Sequence, residues 1–144
     1  MSDHQASTAI SSTTLAPMLS VRNGAKAVDF YKSAFGVTEV FRIESPDGAV
    51  VAHLRIGPAE GAAEFWVADE SPEYLNFSPE SLGGATARMV LTVADPDAVF
   101  AAAVAAGAEV VSPVQDQDYG WRVGRVVDPF GHHWEIGKPL AQGE

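Results

Sequence analysis

A chain of 144 residues, 47% hydrophobic and 19% charged, has the length and composition of about one globular domain with a real core. Its 19 acidic and 9 basic side chains give a formal charge of -10, which argues against a nucleic-acid partner, since phosphate-backbone binding needs clustered Lys and Arg. The absence of Cys excludes thiol catalysis, disulfides and zinc–thiolate centres.

Residues 1–14 are rich in Ser and Thr without apolar periodicity and read as a mobile tail. They lack the basic start and apolar stretch of a secretory signal. No run approaches the roughly 18–20 apolar residues of a membrane span, so the expected setting is the cytoplasm, with no membrane partner. PMLSV (17–21) alternates as a strand and turns at Asn23-Gly24. In AKAVDFYKSAFG, residues Ala27, Phe30, Tyr31 and Phe35 share one helical face, and Gly36 is the stop. Three strand-like runs follow, VTEVFRI, AVVAHLRI and AEFWVAD. The polar, Pro- and Gly-containing stretch 71–84 reads as a linker.

The order then repeats. RMVLTV (88–93) is a strand, Asp95 caps a helix with Pro96 at its first position, and DAVFAAAVAAG ends it at Gly107. AEVVSPV, WRVGRVV and HHWEIG are strand-like, and the chain after 138 is a short tail, 139–144. Val21 matches Val93 and Gly48 matches Gly120 at an offset of 72, and the helix-ending glycines match at 71. The chain is therefore a duplicated β-α-β-β-β unit, one domain over 15–138 made of modules 15–70 and 85–138. The fold class is α+β, with two curved mixed sheets around a cleft.

Strand parity assigns the faces. Ala52, Leu54, Met89, Leu91, Val93, Trp134 and Ile136 pack toward helices, while Val51, His53, Arg55, Arg88, Val90, Thr92, His133 and Glu135 face the cleft. His132 shares the core-facing parity and is structural, and Asp128 of DPFG opens a turn by bonding the amides that follow it.

The duplicated pattern, VDFYKSAFG and DPFGHHWEIG resemble the vicinal oxygen chelate superfamily, which contains glyoxalase I, bleomycin-binding resistance proteins, fosfomycin-modifying enzymes and ring-cleaving dioxygenases. The likeness covers about residues 15–138. SPDG, LRIG, ADE and DYGWRVGRVVDPFGHHW look most like its PhnB-like branch. The resemblance implies a homodimer and, in metal-using members, ligands on the first and last strands of each half. Carried onto this chain, those positions are Ala16, which cannot ligate; Glu64 or Trp66, of which only Glu64 can; Arg88, a permanent cation; and Glu135. A guanidinium in place of an imidazole ligand is hostile to a divalent cation, so no cofactor is favoured. A divalent metal, if present, would take Glu135, Glu64, His53 and His133.

Two functions follow. The favoured one is a small-molecule binding protein of the bleomycin-resistance type, its organic ligand held by Trp66, Trp121, Tyr119, Arg55 and an Arg88–Glu135 pair. The indoles are expected to line opposite walls of one pocket. Arg55 and Arg125, the latter at the place equivalent to His53, are the other cations expected at the rim. The alternative is a metal-dependent lyase or isomerase of the glyoxalase kind acting on vicinal oxygens, with Glu135 and His53 as catalytic residues. If the Arg88–Glu135 pair is buried, losing Arg88 orphans a carboxylate at a cost of about 3–5 kcal/mol.

Overall fold

The computed structural model describes residues 12–58 and 63–141. The tail expected over 1–14 falls outside them as far as residue 11, as does 142–144 of the expected C-terminal tail. The first half runs β1 (Met18–Val21), α1 (Gly24–Phe35), β2 (Thr38–Glu44), β3 (Val50–Arg55) and β4 (Glu64–Asp69). A 3-10 turn at Pro72–Tyr74 and a one-turn helix α2 (Pro79–Leu82) occupy the connection. The second half repeats the order as β5 (Arg88–Thr92), α3 (Pro96–Ala106), β6 (Glu109–Asp116), β7 (Trp121–Val127) and β8 (His133–Pro139).

Each half folds into a four-stranded mixed sheet, β1-β4-β3-β2 and β5-β8-β7-β6. In both, the first and last strands run parallel and the remaining pairs antiparallel. The local chemistry repeats too. Asn23 caps α1 by accepting from the Lys26 amide at 3.1 Å, and Asp95 caps α3 by accepting from the Ala98 amide at 3.2 Å. Gly48 and Gly120 close equivalent turns at φ 92° and 91°, a left-handed backbone that explains why both positions are glycine.

The connection is more structured than its turn-rich composition predicts. Glu70 accepts from the Ser78 amide and the Ser81 hydroxyl, both at 2.8 Å, and Ser78 is fully buried. These bonds hold the Glu70 carboxyl below its usual range, the Ser78 amide contributing most.

The alternation expected of the strands is present. Val50, Ala52, Leu54, Phe65, Val67, Trp134 and Ile136 are buried against the helices, while Val51, His53, Arg55, Trp66 and Glu135 are only partly covered. One core joins the halves. Tyr31 of α1 and Phe65 of β4 lie 5.6 and 5.3 Å from the Trp134 ring of β8, and His132 Nε2 contacts the Ser20 carbonyl of β1 at 2.9 Å.

Below this aromatic cluster sits Asp128. Its carboxylate accepts from the Tyr31 hydroxyl, from Trp134 Nε1 at 2.9 Å, and from the Phe130 and His132 amides at 3.0 and 2.9 Å. Burial, and secondly the Asp128 charge, push the Tyr31 phenol well above its ordinary value of 10.0. A phenol raised on folding contributes stability that is fully present below the unfolded value and is lost as pH rises through the folded one. The protein is therefore expected to lose stability in strong alkali, and Tyr31→Phe to weaken that alkaline dependence. Circular dichroism against pH for the two proteins checks it.

Candidate functional site

The sheet faces turned from the helices carry the polar chemistry. In the first half, His53 is opposed by Trp66 on one side and Phe41 on the other, so three rings share one face. The imidazole stacks on the Trp66 indole at 4.4 Å and 4°, and Phe41 meets that indole edge-on at 6.2 Å. Glu64 on β4 ties the rest together, with Oε1 2.8 Å from His53 Nε2 and Oε2 accepting from Arg55 Nε at 2.9 Å.

Phe41 escapes a reading of the sequence because β2 bulges between Glu39 and Phe41. The extra residue, Val40, shifts the parity of everything after it. Nothing in VTEVFRI marks that position. Glu64 is visible as an acid on β4, but its role as partner to both His53 and Arg55 depends on the cross-strand register.

In the second half, Glu135 is opposed by Val90 on β5 and Arg125 on β7. Its Oε2 receives Arg88 Nε at 2.8 Å and Arg125 Nη2 at 3.0 Å. The pair expected at Arg88 and Glu135 forms, but it is not buried: the Arg88 side chain is 56% exposed. An ion pair at such exposure is worth about 0–1 kcal/mol, so the larger cost of an orphaned buried carboxylate does not apply. Arg125 remains on Glu135 in any case.

A cavity of about 790 Å³ is lined by His53, Glu64 and Trp66 from the first half, by Arg88, Val90 and Thr92 from the second, and by residues 14–17 ahead of β1. Trp121 and Tyr119 do not line it. They form a second hollow of about 290 Å³ with Val90, Val123 and Glu135. The two indoles thus occupy separate hollows rather than opposing walls of one. The register gives the reason, since Trp121 pairs with Pro139 at the far end of β8, beyond Glu135. Val90 lines both hollows, and the Arg88–Glu135 pair spans them.

The register also tests the metal positions. Met18 pairs with Trp66 as Val90 pairs with Glu135, and His53 pairs with Trp66 as Arg125 pairs with Glu135. Trp66, not Glu64, therefore occupies the place that Glu135 holds in the other half. The four positions read Ala16, Trp66, Arg88 and Glu135, a single carboxylate already engaged by two guanidiniums. That donor set does not fit a divalent metal. The alternative set is not brought together either, because no group of three or more His, Asp or Glu suited to a metal occurs among the described residues. His133 lies beside Arg88 in the sheet, and its buried Nδ1 has no hydrogen-bond partner there.

No helix among the described residues is long and apolar enough to cross a membrane. A family model of the Glyoxalase/Bleomycin resistance protein/Dioxygenase superfamily matches residues 11–136. The uncharacterized protein Mb0911c of Mycobacterium bovis is 42% identical over 132 residues, covering 89% of this chain and 84% of its own. Among solved structures, the gene product AT5G48480 of Arabidopsis thaliana is 31% identical with a TM-score of 0.68, covering 88% of this chain and 99% of its own. TioX from Micromonospora sp. ML1 is 28% identical with a TM-score of 0.67, covering 90% of this chain and all 100% of its own.

Proposed function

We propose that this chain, which belongs to the Glyoxalase/Bleomycin resistance protein/Dioxygenase superfamily, is a small-molecule binding protein of the PhnB-like branch, working in the cytoplasm as a homodimer of single-domain subunits. One observation carries the reading. The 790 Å³ cavity is lined by His53 and Trp66, whose rings stack on each other, and by the guanidinium of Arg88, whose side chain is 56% exposed. An aromatic lining beside a cation suits a planar organic ligand, with the polar groups setting its orientation. Dimerisation is supported by the apolar side chains left on the open faces, with Phe41 47%, Ile43 53% and Val90 66% exposed.

Trp66→Ala is expected to weaken binding of a planar aromatic ligand by about 1–3 kcal/mol without moving the thermal midpoint appreciably. Screening a panel of such compounds by calorimetry against both proteins checks it. Equal affinities for the two proteins would remove the indole from the site.

A second reading, proton transfer of the lyase or isomerase kind, is favoured by one contact. An imidazole bonded to a carboxylate, as His53 is to Glu64 at 2.8 Å, has the arrangement of an oriented general base. On this reading Glu64 is a positioning residue and the reaction runs without metal.

A further inference from the structure

We infer that the occupant of this cleft is an organic monoanion, a planar ring carrying a carboxylate, and that Arg88 leaves Glu135 to grip it. The inference rests on the binding reading above and adds the charge of the ligand. Arg88 and Arg125 both bond the same oxygen, Glu135 Oε2, and neither has another carboxylate partner among the described residues. Two cations thus share one anion, leaving one positive charge unbalanced in a protein whose formal charge is -10. The two arginines are not equivalent. Arg125 is 31% exposed and faces Glu135 directly across β7 and β8, whereas Arg88 is 56% exposed and lines the larger cavity.

When Arg88 swings away, Arg125 still neutralises Glu135, so no carboxylate is orphaned and the movement costs little. The released guanidinium offers a planar fork of donors matched to a carboxylate. The rings of His53 and Trp66 line the same cavity as Arg88, and Glu64, which lines it too, is engaged by Arg55 and His53. One unbalanced cation suits a monoanion. A phosphate monoester would bring a second negative charge with no matching group, against the repulsion of an acidic protein.

The test compares 2-naphthoate with 2-naphthamide, which share a ring and differ in charge, by calorimetry at low salt on the full chain. The acid is expected to bind about tenfold or more tightly than the amide. Arg88→Gln should remove that preference, and thermal unfolding establishes that the variant is folded. Glu135→Gln should strengthen naphthoate binding severalfold, because it frees both arginines; this direction is opposite to that expected if Glu135 were a base or a metal ligand. Equal binding of acid and amide, or weaker naphthoate binding by Glu135→Gln, overturns the charge assignment while leaving a cleft that stacks planar rings. Failure of both compounds to bind overturns the binding reading together with this one.

Discussion

Asp128→Ala is expected to destabilise the protein by about 3–5 kcal/mol, enough to leave a domain of this size marginal. Asp128 is 4% exposed and accepts four hydrogen bonds, two from buried side chains and two from backbone amides. Removing the acceptor leaves the Tyr31 hydroxyl and the Trp134 indole nitrogen without a partner where water cannot replace it. The effect reaches across the duplication, because Tyr31 comes from the first half and Trp134 from the second. Asp128→Asn keeps the shape and part of the accepting capacity and should cost clearly less. Urea unfolding of the three proteins measures the difference. An Ala variant as stable as the Asn variant would mean that Asp128 serves only its own turn.

Trp134→Ala is expected to cost a similar amount, about 3–5 kcal/mol, through a different mechanism. The indole is 2% exposed and lies against Phe35, Phe65 and Tyr31 with ring centroids 4.7 to 5.6 Å away. Its deletion opens a cavity where α1 of one half meets β8 of the other, and it also withdraws a donor from Asp128. Trp134→Phe refills most of the volume while losing the donor, so it should cost about 1–2 kcal/mol. Because Asp128 and Trp134 share one bond, combining Asp128→Asn with Trp134→Phe should cost less than the sum of the singles. Strict additivity in a double-mutant cycle would contradict the linkage.

The duplication explains why much of the fold is legible in the chain. The helix cap at Asp95, the stops at Gly36 and Gly107, and period-two burial in β3, β4 and β8 are local signals, whereas Asn23 reads as a turn and proves to cap α1. The pairing of Arg88 with Glu135 is legible as well, since both fall on one parity of neighbouring strands. What depends on register is not. The bulge that turns Phe41 toward Trp66, the second arginine on Glu135, and the separation of Trp66 from Trp121 all follow from which residues face each other across strands. The exposure of the ion pair is equally hidden, because parity gives the face of a sheet but not how deeply that face is covered.

The cleft proposed above is anchored by guanidiniums at the place where the resemblance implies a metal in metal-using members. Elemental analysis of protein purified without chelator or added divalent salts tests it most directly. The account predicts far less than one equivalent of any divalent metal per chain, whether or not Glu135 is replaced. About one equivalent of zinc, nickel, iron or manganese, lost in Glu135→Ala, would contradict it.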